Sequence, residues 1–238
     1  MCISARGENI NADCHGRRFE KVPSDFTFLK MHTLPPTGGD TLWASGYAAY
    51  DKLSPALARF LEELTAEHDG NFFHNVRTIT INNLRQTDEL TSTLQEARRQ
   101  KVSIQPLRGN ALNAGEDLRA SHPVIRTHPL TGYKSLYVNK TFTTRINELA
   151  KAESDALIEL LTRHISENHD IQVRHRWQEG DVAVWDNRVT YHTATNDYGS
   201  APREGFRVVG LGEIPYLDKA SKGRAETIAA RQAEAAKA

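Results

Sequence analysis

Residues 180–192 read GDVAVWDNRVTYH, and this segment decides how the chain folds. Gly180 supplies a turn into an apolar run, residues 181–186, that carries Trp185. Asp186, Asn187 and Arg188 make a polar corner, and residues 189–193 then read as a second short strand bearing His192. Short runs rich in β-branched and aromatic residues, split by a polar corner, are the pattern of successive strands in an antiparallel fold. The pattern continues on both sides, with strand-like runs at 171–177 and 205–213.

Towards the N-terminus, residues 26–32 (FTFLKMH) alternate and read as a strand. Pro35, Pro36, Gly38 and Gly39 then turn the chain, and residues 41–44 resume a strand. Ser54 is a helix N-cap with Pro55 at the first helical position, followed by Leu57, Phe60, Leu61 and Leu64 at helical spacing. The charged segment 85–100 reads as an exposed helix. Residues 124–127 and 135–138 read as strands flanking a turn at 130–132. Residues 153–167 form the clearest amphipathic helix, with Leu157, Ile158, Leu161 and Ile165 on one face. Strands at both ends with helices between them do not fit the regular alternation of a doubly wound sheet. They predict a mainly β fold with added helices, an antiparallel sandwich or jelly roll. The tail from Lys219 onward is rich in Ala, Glu, Lys and Arg without a strong apolar stripe, and reads as polar helix or disorder.

Composition narrows the function classes. The chain has 238 residues, long enough for one domain with a sizeable core. Thirty basic residues balance thirty acidic ones, which gives no reason to expect nucleic acid or an anionic membrane as partner. With only Cys2 and Cys14 a disulfide framework is not expected, and a reducing, cytoplasmic location is. The N-terminus has no apolar signal region, and no apolar stretch approaches the roughly 20 residues needed to span a bilayer. The sequence leaves the oligomeric state open, a homo-oligomer included.

Three separated motifs carry a family resemblance. They are Trp185-Asp186-Asn187-Arg188 with His192 and Arg203; residues 36–43 (PTGGDTLW); and residues 122–128 (HPVIRTH) with Tyr137, Asn139, Phe142 and Arg145. Together they resemble the taurine dioxygenase (TauD/TfdA-like) family of Fe(II)/2-oxoglutarate-dependent dioxygenases over residues 19–216, leaving 1–18 as a non-matching segment and 217–238 as the tail. The resemblance implies a double-stranded β-helix, or jelly roll, holding Fe(II) through two histidines and a carboxylate, with 2-oxoglutarate and O2 at the open positions. It implies His192 as an iron ligand, Arg203 and Thr41 on the far carboxylate of 2-oxoglutarate, and Arg207 on the anionic group of a small sulfonate or carboxylate substrate. Asn139 and Phe142 line the substrate pocket or shape a turn. His122 and His128, each followed by proline, are assigned to local structure. Trp43 and Trp185 are assigned to the core.

The match fails at one place. The family's first two ligands form a His-x-Asp or His-x-Glu motif, and no Asp or Glu stands two positions after any of the ten histidines. Alignment from Phe19 puts Cys14 and Gly16 at the ligand positions; a one-residue shift puts His15 and Arg17 there. His15 is therefore the second candidate ligand, but Arg17 is cationic and repels a metal ion. Three expectations follow: a jelly roll incomplete at its N-terminus, from an active parent; a catalytically inactive relative that binds a small anion or a protein; or an unusual site using His15, His192 and another ligand such as Asp13 or Cys14.

Overall fold

The computed structural model describes residues 2–3, 18–70, 108–115 and 117–237. The helix expected at 85–100, and Asp13, Cys14, His15 and Gly16, lie outside them. The element order begins with strands β1 (Cys2–Ile3), β2 (Ser24–Thr33) and β3 (Thr41–Ser45). Helices α1 (Gly46–Asp51) and α2 (Pro55–Leu61) follow, then β4 (Thr65–Asp69), β5 (Arg119–Pro123), β6 (Ile125–Thr127), β7 (Lys134–Leu136) and β8 (Thr143–Ile146). Helix α3 (Lys151–Ser166) leads into β9 (Gln172–His175), β10 (Val182–Asp186), β11 (Thr190–Ala194) and β12 (Glu204–Leu211), and α4 (Arg224–Ala235) ends the order.

Two antiparallel sheets carry the architecture, one ordered β1-β12-β2-β10 and the other β11-β3-β9. From β9 to β12 the chain alternates between them strand by strand, which makes the fold a double-stranded β-helix. Smaller sheets, β5-β4-β8 and β6-β7, are inserted between β3 and β9. The strands expected at 26–32, 41–44, 181–186 and 189–193 form as β2, β3, β10 and β11. Sequence reading did not anticipate α1, β4, β5 or β8, which are short and lack a periodic apolar pattern.

Side-chain alternation sets the role of each face. In the first sheet Thr27, Met31, Trp185 and Arg207 are buried, so they point inward. Their neighbours Phe28, Val184 and Val208 stand in one cross-strand row on the other face and are 46%, 54% and 58% exposed, leaving that face apolar and open. In the second sheet Ala44 and Tyr191 lie back to back with the inner face and join the main core, with Leu61, Leu136, Ile146 and Leu161. Helix α3 supplies the amphipathic face that its periodicity predicted, with Leu157 and Leu161 buried and Ile158 and Ile165 packed against the core. Its first turn is closed by Glu153, whose carboxylate accepts from the Ala150 N–H at 3.0 Å. Helix α4 has no buried residue, in keeping with its missing apolar stripe.

Ser54 caps α2 as expected, its hydroxyl accepting from the Leu57 N–H at 3.3 Å with Pro55 at the first position. Ser54→Ala is expected to cost about 1 kcal/mol, read as a lower urea midpoint with unchanged slope. An unchanged midpoint would show that the cap contributes nothing here.

Candidate functional site

The inward faces of the two sheets meet in a layer of aromatic and cationic side chains. Thr41 and Trp43 alternate onto the inner face of β3, and β11 places His192 opposite Trp43 and Ala194 opposite Thr41. Across the layer, Trp185 of β10 lies with its ring 4.8 Å from that of His192 and 5.6 Å from that of Trp43. Arg207 of β12 is 9% exposed, and its guanidinium sits 5.4 Å over the Trp185 ring. Over the indole face the guanidinium keeps a planar fork of donors, which suits a carboxylate or sulfonate. The structure thus brings Thr41, His192 and Arg207 together around Trp43 and Trp185.

Arg203 joins them through the loop before β3. Its Nε donates to the Gly39 carbonyl at 2.9 Å, and the Gly39 N–H donates to the Asp197 carboxylate at 2.9 Å. Gly38 and Gly39 both have positive φ, +77° and +71°. A Cβ on Gly39 would stand 2.9 Å from Arg203 Cδ, and one on Gly38 only 2.5 Å from Asp197 Oδ1. These two glycines let the loop and Arg203 lie against each other just ahead of Thr41.

Asn139 and Phe142 shape a turn. Asn139 Oδ1 accepts from the N–H groups of Thr141 (2.7 Å) and Phe142 (3.2 Å), and its own N–H donates to Thr143 Oγ1 at 2.8 Å. Phe142 is fully buried, edge-on to Phe19 at 5.1 Å. Both belong to the connection between β7 and β8, beside the β5-β4-β8 sheet rather than on the inner faces of the two main sheets.

The two histidines that precede prolines, expected to serve local structure, also make long-range bonds, His122 to Glu20 and His128 to Asp186. His122 Nε2 is 2.9 Å from the Glu20 carbonyl, so this nitrogen carries the proton and donates. His128 Nδ1 accepts from the N–H groups of Leu130 and Thr131, which leaves Nε2 to donate to Asp186 at 2.9 Å. Asp186 also accepts from Arg188 Nε (2.8 Å), Nη2 (2.7 Å) and backbone N–H (2.9 Å). Burial disfavours ionisation of Asp186, but the bonds from His128 and Arg188 outweigh it and hold its pKa well below the usual carboxylate range. Glu213 continues the network, pairing with the fully buried Arg126 and lying 3.5 Å from Arg188. This network ties the turn after β6 to the corner between β10 and β11, and so fixes where Trp185 and His192 stand.

One contact had no signal in the sequence. Trp177, just past β9, donates its indole N–H to Thr41 Oγ1 at 2.9 Å, and both residues are buried. Only the pairing of β3 with β9, which sets Thr41 opposite His175, brings them together.

A 2-oxoglutarate carboxylate suits this donor set: the Thr41 hydroxyl and the Arg203 guanidinium flank the loop before β3. Iron does not fit the described residues alone. His192 is one donor, and among the described residues no group of three His, Cys, Asp or Glu is placed to hold a metal ion.

Two sheets between which successive strands alternate, with Thr41, His192 and Arg207 on their facing sides, define a jelly-roll protein. The chain belongs to the Taurine catabolism dioxygenase TauD, TfdA family, whose model matches residues 16–209. Its relatives include the α-ketoglutarate-dependent dioxygenase oryG of Aspergillus oryzae, 41% identical over 214 residues, covering 89% of this chain and 57% of the relative. The α-ketoglutarate-dependent sulfate ester dioxygenase of Pseudomonas putida is 31% identical over 214 residues, covering 89% of this chain and 63% of the relative. A taurine dioxygenase from Burkholderia xenovorans has the same fold, with a TM-score of 0.65 and 28% identity over 88% of this chain and 59% of that one. The chain spans less than two thirds of the length of each of these proteins. Among the described residues no helix is long and apolar enough to cross a membrane.

Proposed function

We propose that this chain acts as an Fe(II)- and 2-oxoglutarate-dependent dioxygenase that hydroxylates a small anionic substrate of the sulfonate or sulfate ester type, releasing succinate and CO2. The observation that carries the reading is the convergence of His192, Thr41 and Arg207 on facing sheets, with Arg203 against the loop that leads to Thr41. Iron supplies the redox chemistry of this class when bound. The chain's own residues bind and orient: Arg203 and Thr41 take the far carboxylate of 2-oxoglutarate, and Arg207 takes the substrate's anionic group. His192 is one iron ligand, and His15 is the candidate second. The taurine dioxygenase and the sulfate ester dioxygenase among its relatives support an oxygen-rich sulfur anion as substrate.

Arg203→Leu is expected to weaken 2-oxoglutarate binding by roughly 10- to 100-fold, the loss of hydrogen bonds to a charged group. Calorimetry reads this directly. Equal affinity in the variant and the parent would remove Arg203 from the site.

A second reading is favoured by one observation, the missing acidic residue two positions after every histidine. In it the chain is a catalytically inactive relative that keeps the anion pocket as a small-anion or protein-binding module. Anaerobic titration of Fe(II) in the presence of 2-oxoglutarate separates the two. A weak visible charge-transfer band that vanishes in His192→Ala supports the oxygenase. Binding of 2-oxoglutarate that ignores Fe(II), with no band, supports the module.

A further inference from the structure

Thr41 presents an unusual account of its protons. Its hydroxyl has one proton to give and lone pairs to accept with, whereas the Trp177 indole N–H only donates. The 2.9 Å contact between them therefore has a fixed sense: Trp177 donates and Thr41 accepts. Thr41 is 3% exposed and Trp177 6%, so the bond is not shared with bulk water. The Thr41 proton is thereby turned away from the indole, and among the described residues no acceptor receives it. A buried donor is costly to leave unmade, which points to an acceptor that arrives with a ligand.

The surroundings lock this arrangement. Thr41 is β-branched, which restricts its side-chain rotation, and it is paired on both edges, to Ala194 on β11 and to His175 on β9. Trp177 is itself held, with its ring 4.9 Å from His175 in an edge contact and 6.3 Å from Trp43. The ligand side of Thr41 is the side of Arg203, whose guanidinium Nε lies against Gly39, two residues before it.

We propose that Trp177 is a positioning residue that fixes the Thr41 hydroxyl as a hydrogen-bond donor, so that this point of the pocket accepts a carboxylate oxygen of 2-oxoglutarate. The inference rests on the reading of Thr41 given under the proposed function. Without the indole, the hydroxyl is free to rotate and to present a lone pair, which repels a carboxylate oxygen. With it, the site is set for an acceptor before the ligand enters, so less is lost in ordering the group on binding.

The test is a double-mutant cycle read by calorimetry with 2-oxoglutarate on the full chain. Trp177→Phe keeps an aromatic ring and removes the donor; Thr41→Val keeps the shape and removes the hydroxyl. Each is expected to weaken binding roughly tenfold, and the double variant to bind no more weakly than Thr41→Val alone. Thr41→Ser restores the hydroxyl and the affinity. In the ligand-free protein the Trp177 indole N–H resonance is expected to move in Thr41→Val and to return in Thr41→Ser. Losses that add in the double variant, or an indole resonance indifferent to Thr41, overturn the positioning role, since Trp177 would then act only by packing. A parent chain with no affinity for 2-oxoglutarate overturns the functional reading, and the positioning role falls with it. Parent affinity with an unchanged Trp177→Phe overturns the positioning role alone.

Discussion

Asp186→Ala is expected to lower the unfolding free energy by about 3–5 kcal/mol, the cost of breaking a buried ion pair from one side. Asp186 is the common acceptor for His128 and for three donors of Arg188. The His128 and Arg188 side chains are only 4% and 6% exposed, so neither finds water when the carboxylate is removed. Glu213, at 3.5 Å from Arg188 and already engaged by Arg126, compensates little. The loss is read as a reduced urea midpoint by circular dichroism. Asp186→Asn keeps the shape and one acceptor oxygen, and is expected to recover part of the stability. A midpoint in Asp186→Ala equal to that of the parent would show that the network contributes nothing net. The same variant should loosen the corner that places Trp185 and His192, so 2-oxoglutarate affinity falls as well.

Acidification is expected to destabilise the chain by about 3 kcal/mol through His122 alone, with a further loss from His68. The two rings lie 5.5 Å apart, and each packs on Tyr137, at 6.0 Å and 5.9 Å. Burial pushes His122 down to about 4, aided by the nearby Arg126 and Arg18 guanidinium groups and opposed by its bond to the Glu20 carbonyl. Burial also pushes His68 well below its ordinary value, with His122 and Arg18 adding to the effect. Both imidazoles are thus neutral in the folded chain. In the unfolded chain each takes up a proton below about pH 6.5. Between pH 6.5 and 4 the unfolded state binds more protons, so stability is full above that window and falls as the pH drops through it. Urea unfolding between pH 7.5 and 4.5 measures the slope, and His122→Asn should flatten it. Equal unfolding free energies at pH 7 and pH 5 would sink the prediction.

Much of the fold was legible in the sequence because it is written in local chemistry. Alternation in residues 26–32, and the apolar run and polar corner within 181–193, marked strands that the structure forms as β2, β10 and β11. Ser54 and Pro55 marked the start of α2, and the spacing of Leu157 and Leu161 marked α3. The short strands β4, β5 and β8 escaped because they carry polar residues such as Glu67, Ser121 and Thr144, and owe their conformation to pairing with one another.

By itself the sequence also determined the family, through three motifs in order, and the departure from it, since no histidine is followed two positions later by an acid. Which residues share one face was decided only by the tertiary structure. Strand alternation says that Arg207 and Phe206 point oppositely, but not which of them faces Trp185; closure of the two sheets settles that Arg207 is inside and Phe206 is 53% exposed. The bonds of Asn139 within its own turn, the Asp186 hub and the Trp177–Thr41 bond span chain separations of two to 136 residues. The longest of these depend on strand pairing, and pairing is a property of the whole chain, because a hydrogen bond between distant residues forms only after the sheets that carry them have closed.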